Sequence, residues 1–367
     1  MPHSGGTVCV LHLDKLKLVH FRNYELLELE RISENVNVIF GKNAQGKTNL
    51  IEAVSICAGG KSFRAGVDAK AIMDGCKSAY IYAGYVFSGR PHFIEALIEK
   101  GSKSFKKDGI PQKSIKDMLG NLYSVVFSPE DMRTAKESPA LRRAFLDGEI
   151  SKIRPSYVDA LRKYTEIIAE KNSVLKKSAG KGVSELLDVY NEQLARYIRI
   201  ILRNRQSYLK KLNEYVKETH GEISGGCEQI SLKYGGTIDK DDIEGQLKRL
   251  MPRERHDMQV TLGPHRDDLR IFIDGQEARS YASQGQLRTV MLAIKIACLK
   301  ILADATGHTP IMLLDDVFSE LDAVRRNNLV KSLTGFQSFI TTADKSDAKR
   351  IENALVLNVS AGKVTVF

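Results

Sequence analysis

Apolar and polar positions alternate near the start of the chain, whereas the middle of the chain follows a helical period. Residues 11–18 alternate for most of their length, which predicts a half-buried strand, and residues 35–40 predict a buried strand that runs into a glycine turn. A long helix is expected from about Lys47. Further strands, predicted as an antiparallel addition to the first sheet, are residues 79–87, 93–99 and 122–127.

Between about residues 131 and 224, apolar side chains recur at steps of three, four or seven, as on one face of an α-helix. They predict two antiparallel helices joined at residues 178–182, and the second, residues 183–224, would be ~60 Å long if unbroken. The period does not say what covers the apolar stripe. A hairpin that projects from a globular head and two core helices of an ordinary helical domain therefore remain open alternatives.

Strand-like patterns return after Met258. The predicted elements are, in order, strands at residues 259–262 and 269–273, a hairpin turn at 274–275, a helix over about 284–303, a strand at 311–314, a helix from about 322, a strand at 336–342 and a hairpin turning at 361–362. The whole pattern predicts an α/β fold in three parts, namely residues 1–130, a helical lobe over residues 131–255, and residues 256–367.

Composition narrows the class of protein. The chain has 367 residues, which favours two compact units, and its 55 Lys and Arg residues against 45 Asp and Glu residues give a net charge of +10, which favours a polyanionic partner. The five cysteines are scattered without a CxxC pair, which suggests neither a zinc knuckle nor a disulfide framework. No run reaches the roughly 18 apolar residues of a membrane span, and the start of the chain does not resemble a secretory signal. A cytoplasmic protein with no membrane partner is expected.

A glycine-rich segment directly follows the strand predicted at residues 35–40. Gly41, Lys42, Asn43, Ala44, Gln45, Gly46, Lys47 and Thr48 fit the pattern GxxxxGK(S/T), with a strand before and a helix after, as the motif requires. Glycines let backbone N–H groups converge on phosphate oxygens, and the positive end of the helix adds to the attraction. In such a loop Lys47 reaches the β- and γ-phosphates and the Thr48 hydroxyl ligates Mg²⁺. The segment predicts a nucleoside triphosphate site, with an ordinary glycine turn as the alternative.

A second segment supplies the carboxylates that a nucleotide site needs. Residues 310–314 predict a buried parallel strand, which ends in Asp315 and Asp316. In P-loop ATPases an acid at this point holds Mg²⁺, and a neighbouring acid can orient the attacking water. We expect Asp315 to hold the metal and Asp316 to position the water. The alternative is a strand that ends in an aspartate as the N-cap of the next element.

The segment Ser283, Gln284, Gly285 and Gln286 lies where the helix over residues 284–303 begins. A serine N-cap followed by glycine leaves N–H groups facing outward, which makes a second phosphate-sized anion site. The glycine-rich loop already binds the nucleotide, and a single γ-phosphate needs no second site of this kind. The second site therefore suggests a nucleotide that is bound to another copy of the chain. The segment predicts a dimer with two shared sites, and a plain helix cap is the alternative.

These motifs resemble, in order and spacing, the Walker A, signature, Walker B and D-loop motifs of ABC-type ATPases, with Ser319 and Asp322 in the D-loop. From about Leu11 onward the chain is similar to the RecF family of bacterial recombination mediators, which is related to the heads of SMC and Rad50 proteins. The segments that carry this resemblance are LKLVHFRNY at residues 16–24, KSFR at 61–64, VFSPED at 126–131, GPHRDDL at 263–269 and DDVFSELD at 315–322.

The resemblance implies an ABC-type P-loop ATPase head, a mixed sheet with an antiparallel β addition, plus a helical lobe with a long helical hairpin. It implies an ATP-dependent homodimer that slowly hydrolyses ATP with Mg²⁺ and with stimulation by DNA. It further implies binding to duplex DNA and gapped junctions, assistance to RecA loading with RecO and RecR, links to replication restart and the SOS response, and a place at the nucleoid. Carried over to this chain, Lys47 and Thr48 are nucleotide ligands and Asp315 is the Mg²⁺ ligand. Ser283 and Gly285 contact the γ-phosphate of the partner copy.

The chain also departs from the general ABC pattern. Asp316, which together with Lys47 is predicted to be catalytic, stands where most ABC ATPases carry glutamate and reaches less far toward the attacking water, so slow turnover is expected. The histidine expected after the following strand is absent, and Thr341 and Thr342 occupy that region. Gln112 is a candidate for the Q-loop glutamine.

For DNA the sequence offers charge but no base-reading motif. Lys61 and Arg64, just beyond the P-loop helix, are candidate DNA contacts, because a basic loop beside the nucleotide could link ATP binding to a polyanion. The helical region is rich in cations that would contact phosphates without regard to sequence, or would form a solvated helix face. These cations are Arg142, Arg143, Lys152, Arg154, Lys163, Lys176, Lys177, Arg199, Arg203, Arg205, Lys210 and Lys211.

Two rival functions share part of this motif set. The nucleotide-binding ATPase subunit of an ABC transporter has the same four motifs but needs no basic helical lobe. A P-loop kinase of a small molecule needs no signature segment, and it would remain a monomer in the presence of ATP.

Overall fold

The computed structural model describes residues 11–64, 68–118, 120–177, 182–226 and 228–366. Its strands are, in chain order, β1 (Leu11–Phe21), β2 (Tyr24–Leu29), β3 (Val36–Phe40), β4 (Ser78–Phe87), β5 (Arg90–Glu99), β6 (Ser102–Lys107), β7 (Ile110–Gln112), β8 (Ser124–Phe127), β9 (Ile230–Gly235), β10 (Asp268–Ile273), β11 (Gln276–Glu277), β12 (Ile311–Leu314), β13 (Ser338–Thr342), β14 (Leu355–Ser360) and β15 (Lys363–Val366). Its α-helices are α1 (Lys47–Gly59), α2 (Ile115–Met118), α3 (Asp131–Lys136), α4 (Pro139–Ile153), α5 (Pro155–Lys177), α6 (Ser184–Ser224), α7 (Ile243–Asp257), α8 (Ala278–Tyr281), α9 (Gln284–Thr306), α10 (Ala323–Ser332) and α11 (Lys345–Lys349). Short 3₁₀ helices lie at Asp68–Ala71 and Val317–Glu320.

The chain divides into two compact units. The first comprises Met1–Met132, Tyr215–Glu228 and Ser283–Phe367, as far as these ranges are described, and the second comprises Arg133–Glu214 and Gln229–Ala282. Helix α6 contributes its residues up to Glu214 to the second unit and its remaining residues to the first unit.

A largely parallel sheet in the first unit has the strand order β15-β14-β3-β13-β12-β8. Strands β14, β3, β13, β12 and β8 run parallel, and β15 is antiparallel to β14. Every residue of β12 and β13 is buried, as expected of central strands in a parallel sheet that is covered on both faces. Because the carboxyl ends of parallel strands meet at one edge, the residues that follow β3 and β12 lie close together on either side of β13.

An antiparallel sheet in the same unit has the order β2-β1-β4-β5-β6-β7. Leu13, Leu16 and Leu18 of β1 are buried, in line with the alternation in the sequence. The predicted antiparallel addition is confirmed for β4 and β5, which continue the sheet from β1. The third segment of that prediction is β8, which pairs with β12 in the parallel sheet instead. Alternating apolar residues predict a strand, but they do not name the sheet that it joins.

Helices α1 and α9 are buried on nearly every side. Helix α1 contacts strands of both sheets of the first unit, and Leu50, Ile51, Ala53 and Val54 are all buried. Residues 287–299 of α9 are buried without exception. A helix that is covered all round needs no amphipathic period, so both are recognised by their ends rather than by a stripe. Across the described ranges, no helix is long and apolar enough to cross a membrane.

The second unit contains α4, α5, most of α6, α7 and a sheet of order β11-β10-β9. The apolar stripe of α6 is buried within this unit, for example at Leu194 and Ile198. A fully buried ion pair joins α5 to α7, because Lys171 Nζ lies 2.5 Å from Glu254 Oε2 and donates to Asn191 Oδ1 of α6 at 2.6 Å. The predicted hairpin of α5 and α6 is confirmed, and residues 178–181 of its predicted turn lie outside the described residues.

Between residues 225 and 262 the structure differs from the prediction. Strand β9 and helix α7 were not predicted, and the strand predicted at residues 259–262 is wrong, because these residues form no strand. The backbone N–H of Val260 donates to Asn172 Oδ1 at 2.7 Å, and Gly263 turns the chain with a φ of 130°. A side-chain acceptor thus takes the place of a neighbouring strand. The predicted elements from β10 to the β14–β15 hairpin are present.

Candidate nucleotide-binding site

The loop between β3 and α1 is held in place by close backbone packing. A Cβ atom at Gly41 would lie 2.2 Å from the carbonyl oxygen of Val359, and Gly46 has a φ of 115°, which favours glycine. Asn23 Nδ2 donates to the Gln45 carbonyl at 2.8 Å, and the Tyr24 hydroxyl donates to the Gly46 carbonyl at 3.0 Å. The glycines allow the close approach, and the hairpin of β1 and β2 fixes the loop from outside.

Lys47, the first residue of α1, turns its amine back over the loop. Its Nζ donates to the carbonyls of Gly41 at 2.6 Å and of Lys42 at 2.9 Å. Burial lowers the pKa of the Lys47 amine, while the nearby carboxylates of Asp316 and Asp315 oppose that shift. The ammonium therefore lies at the centre of the loop, with two carboxylates in reach of its charge.

Asp315, the residue after β12, lies beside the start of α1. The Thr48 hydroxyl donates to its Oδ1 at 2.9 Å, or to its Oδ2 at 3.1 Å, and the Thr341 hydroxyl donates to its Oδ1 at 2.7 Å. Burial raises the pKa of the Asp315 carboxyl, and these hydroxyl groups oppose the shift. The hydroxyl and carboxylate oxygens thus form one compact group at the edge of the parallel sheet.

Asp316 adopts a left-handed backbone conformation, with a φ of 49°. Its backbone N–H donates to Thr341 Oγ1 at 2.9 Å, and its carbonyl accepts from Ser319 Oγ at 3.2 Å and from the Arg288 guanidinium. Aspartate tolerates this conformation better than most residues. The three bonds hold the main chain of Asp316 in a conformation that an isolated chain would seldom adopt.

These residues line one cavity of about 630 Å³. It includes Asn43, Ala44, Gly46, Lys47 and Thr48 of the predicted loop together with Asp315 and Asp316. It also includes residues that the sequence analysis did not assign to a nucleotide site, which are Arg22, Asn23, Asn49, Arg64, Lys70, Ile72, Asp74 and Thr341. A cavity with several cations, a glycine loop and paired carboxylates suits a phosphate-bearing ligand with a divalent cation.

A buried carboxylate organises the arginines of this cavity. Glu52 of α1 has no exposed surface, and it accepts hydrogen bonds from Arg22 Nε at 3.0 Å and from Ser62 Oγ at 2.6 Å. Arg64 NH1 lies 3.5 Å from Glu52 Oε2 and donates to Asn49 Oδ1 at 2.9 Å. Arg64, a candidate DNA contact, is therefore part of the cavity wall, whereas Lys61 is exposed and is not among the described residues that line it.

The segments RNY and KSFR were available in the sequence as signals for these missed residues. They follow β1 and α1 respectively. Both segments support the family resemblance, and Lys61 and Arg64 of KSFR are also predicted DNA contacts, but neither segment was assigned to the nucleotide site. Their position around the loop depends on the β1–β2 hairpin and on Glu52, which the motif alone does not reveal.

The signature segment begins α9 with a capping box. Ser283 Oγ accepts from the Gln286 backbone N–H at 3.2 Å, and Gln286 Oε1 accepts from the Ser283 N–H at 2.9 Å. Ser283 and Gln284 are exposed. None of Ser283, Gln284, Gly285 or Gln286 is among the described residues that line the cavity, so a single copy does not bring the signature and the loop into one pocket.

The remaining predicted site residues lie around the same region or outside it. Ser319 contacts the Asp316 carbonyl, and Asp322 caps α10 by accepting from the Arg325 N–H at 2.9 Å. Gln112 ends β7, where its side chain donates to the Ile110 carbonyl at 2.9 Å. It does not belong to the described lining of the cavity.

The donor set fits Mg²⁺ held jointly by protein and phosphate. Within the described ranges there is no group of three or more His, Cys, Asp or Glu residues that could hold a metal ion by itself. Thr48 and Asp315 instead offer a hydroxyl and a carboxylate side by side. Mg²⁺ commonly takes one or two such oxygens and completes its shell with phosphates and water.

The chain is similar to several proteins of known name. Residues 12–365 match the family model described as the RecF/RecN/SMC N-terminal domain. The DNA replication and repair protein RecF of Clostridium perfringens (strain 13) is 38% identical over 363 residues, covering 96% of this chain and 99% of the relative. That of Clostridioides difficile (strain 630) is 36% identical over 367 residues, covering 96% and 98%.

Solved structures show the same relationship. A structure of the recombination mediator protein RecF with ATP is 34% identical, covers 100% of both chains and has a TM-score of 0.88. The Smc head domain of Pyrococcus furiosus is 16% identical with a TM-score of 0.59, covers 97% of this chain and 96% of that one, and shares the fold.

Proposed function

The chain belongs to the RecF family, and from that membership we propose that it is an ATP-dependent DNA-binding protein of DNA replication and recombinational repair. It binds ATP with Mg²⁺, pairs with a second copy, hydrolyses ATP slowly with stimulation by DNA, and binds duplex DNA and gapped junctions. The observation that carries the proposal is the hydrogen bond from Thr48 to Asp315, because it joins the glycine-rich loop to the carboxylate after β12 in one cavity, as a P-loop ATPase site requires.

The nucleotide part of the proposal rests on the loop and its cations. Backbone N–H groups of residues 43–48 and the Lys47 ammonium bind the phosphates. The carbonyl groups of Gly41 and Lys42 already hold that ammonium over the loop, so little rearrangement is needed. Thr48 and Asp315 would hold Mg²⁺, which neutralises charge on the phosphate oxygens when bound.

Asp316 is proposed to position the attacking water. Its carboxylate lies on the residue next to the proposed metal ligand, and its main chain is held by Thr341, Ser319 and Arg288. Aspartate is one methylene shorter than glutamate, so proton transfer from the water is less favourable and turnover is slow. Slow turnover suits a protein in which ATP hydrolysis resets a binding state.

Pairing of two copies is proposed from the exposed start of α9. Ser283 and Gly285 offer an anion site at the N-terminus of α9. Neither residue is among the described residues that line the cavity of the same copy. A second copy that places its γ-phosphate there completes both sites. The D-loop residues Ser319 and Asp322 are proposed to lie at the same interface.

The DNA part of the proposal rests on cations of the second unit. Arg142 and Arg205 are buried in ion pairs with Asp268 and Asp147, so they are not available to phosphates. Other cations of this unit are exposed. Four of them line a groove of about 500 Å³ along α6, namely Arg199, Arg203, Lys210 and Lys240. Such contacts give binding that tolerates sequence and weakens with salt.

Lys61 and Arg64 are proposed as further DNA contacts. Arg64 also lines the nucleotide cavity, so it could connect bound DNA to bound nucleotide.

The proposal also includes action with RecO and RecR in loading RecA on gapped DNA at the nucleoid. Family membership supports this proposal, since a relative in this family is described as part of the RecFOR pathway. It also disfavours the transporter subunit and the small-molecule kinase.

The experiment that tests the proposal is sedimentation velocity of the full chain with and without ATP and Mg²⁺, and with a gapped duplex. We expect a monomer without ATP, a dimer with ATP, and a dimer on DNA whose affinity falls with salt. The variant Lys47→Ala should not dimerise with ATP. The variant Lys363→Ala, which changes an exposed lysine of β15, is its control and should dimerise like the parent. A monomer that is unchanged by ATP would contradict the proposal, as would a dimer with no affinity for DNA.

A further inference from the structure

Arg288 joins the signature helix to the proposed catalytic segment of the same copy. It is the fifth residue of α9, it is 5% exposed, and its guanidinium donates to the carbonyl oxygen of Asp316. Both residues belong to the first unit. The contact therefore runs from the helix that Ser283 caps to the residue that is proposed to position the attacking water.

The contact acts on the main chain at the point where the proposed catalytic segment enters a 3₁₀ helix. The Asp316 carbonyl belongs to the peptide that leads into the 3₁₀ helix Val317–Glu320, and Asp316 has a φ of 49° and a ψ of 40°. Its N–H donates to Thr341 Oγ1, and its carbonyl accepts from the side chains of Ser319 and Arg288. A displaced guanidinium would turn this peptide and with it the direction of the Asp316 side chain.

The start of α9 is stiff enough to transmit a small shift. The capping box ties Ser283 to Gln286, Thr289 Oγ1 donates to the Gly285 carbonyl at 2.9 Å, and Gln286 Nε2 donates to Glu228 Oε1 at 2.9 Å. Arg288 lies within this first part of the helix. A ligand that moves the Ser283–Gly285 segment therefore moves Arg288 with it, since packed helices shift as units.

We propose that Arg288 is a positioning residue that makes ATP hydrolysis in the cavity of one copy depend on the nucleotide held by the signature segment of that same copy. This inference rests on the proposed dimer, in which the signature segment faces the nucleotide of the partner. In the dimer, occupancy of one site adjusts Asp316 at the other site. The two sites then hydrolyse ATP as a coupled pair.

The first test separates ATP binding from turnover. Arg288→Gln should bind ATP and dimerise within about threefold of the parent, because the guanidinium does not line the cavity, but its kcat should fall about tenfold or more. Arg288→Lys, which keeps one charged donor, should recover part of the rate. Lys300→Gln is the matched control on the same helix, because its amine pairs with Glu218 and Glu222 at 3.7 and 3.5 Å and its kcat should not change.

The second test measures coupling directly in mixed dimers purified with two tags, at protein concentrations at which sedimentation shows that one bound ATP still pairs the two copies. One copy carries Lys47→Ala, so that the signature of the other copy faces no nucleotide. For an intact parent copy, hydrolysis per competent site should fall about fivefold or more in the mixed dimer, as a coupling of about 1 kcal/mol implies. For a copy that carries Arg288→Gln, the rate per competent site should be equal in the mixed dimer and in the uniform dimer.

The outcomes distinguish this inference from the proposed function. A parent chain that does not dimerise with ATP contradicts the proposed function itself. A parent that dimerises, combined with an Arg288→Gln variant that keeps the parental kcat, overturns the inference alone. An equal loss of rate in mixed dimers of parent and variant also overturns it, because Arg288 would then contribute to the structure but not to coupling.

Discussion

Thr48 and Asp315 are separated by 267 positions in the chain, yet the Thr48 hydroxyl donates to Asp315 Oδ1 at 2.9 Å. The parallel sheet makes this contact, because β3 and β12 end at the same edge with β13 between them. The carboxylate is buried, and the hydroxyl of Thr341 on β13 completes the group.

Replacing the loop lysine should abolish nucleotide-dependent pairing. Lys47→Ala should weaken ATP binding by about two orders of magnitude, because losing one member of a buried charge pair costs about 2–5 kcal/mol. DNA affinity without ATP should remain, since the proposed DNA contacts lie elsewhere. Fluorescent-nucleotide titration and sedimentation check this. ATP-dependent dimers at parental levels in the variant would show that Lys47 is not a nucleotide ligand.

The signature serine can be tested without damaging its helix. Ser283→Asp keeps an N-cap acceptor and should leave stability and ATP binding by the monomer unchanged. Its carboxylate would repel a partner's γ-phosphate, so the dimer dissociation constant should rise about tenfold or more. Ser283→Thr, which keeps a hydroxyl, is the control. Normal ATP-dependent dimers of the aspartate variant, measured by sedimentation, would count against shared sites.

The role of Asp316 can be tested with an isosteric change. Asp316→Asn keeps the size of the side chain, and asparagine also tolerates the left-handed conformation of this residue. Loss of the carboxylate should lower kcat by about a hundredfold, as expected for removal of a general base, with ATP affinity retained. Single-turnover hydrolysis measures the rate. A rate within twofold of the parent rate would show that a group other than Asp316 activates the water.

Two neighbouring threonines of β13 offer a matched pair. Thr341→Val removes the hydroxyl that joins Asp315 to the Asp316 backbone, so we expect a loss of about 1–2 kcal/mol of stability and about tenfold in kcat. Thr342→Val removes a hydroxyl that bonds to Asp347 at 3.2 Å, and should affect stability only. Chemical denaturation and ATPase assays together check this. Equal losses of kcat in both variants would argue against a specific role for Thr341.

The buried carboxyl of Asp315 predicts a dependence on pH. Burial raises the pKa of Asp315, so its ionised form destabilises the fold above that pKa and the penalty vanishes below the pKa of the unfolded chain, where both states are protonated. Asp315→Asn should therefore raise the melting temperature of the nucleotide-free protein at neutral pH. The gain should shrink as the pH falls toward about 4.

Thermal melts across that pH range check the Asp315 prediction. ATP with Mg²⁺ should stabilise the parent more than the variant, since the variant lacks the proposed metal ligand. A gain in melting temperature that does not change with pH would assign the effect to packing rather than to ionisation.

Most features that depend on residues close together in the sequence were predicted correctly, and several features that depend on distant residues were not. The loop at residues 41–48, the strand before Asp315 and the cap at Ser283 were predicted because glycine spacing, apolar runs and capping residues act within a few positions. The strand at residues 259–262 was wrong because Asn172, 88 positions away, takes the N–H that a strand would have used. The same limit applied to β8, whose partner is set by packing.

The sequence by itself determined the phosphate loop, the paired aspartates and the helix cap, because each depends on backbone conformation and hydrogen bonds between near neighbours. Only the tertiary structure decided that Arg22, Arg64 and Thr341 share the cavity with them, and that Arg288 reaches the carbonyl of Asp316. Those contacts depend on the order of strands in two sheets and on a buried carboxylate, Glu52. Such long-range packing is fixed by the whole chain at once and leaves no period or motif at the residues concerned.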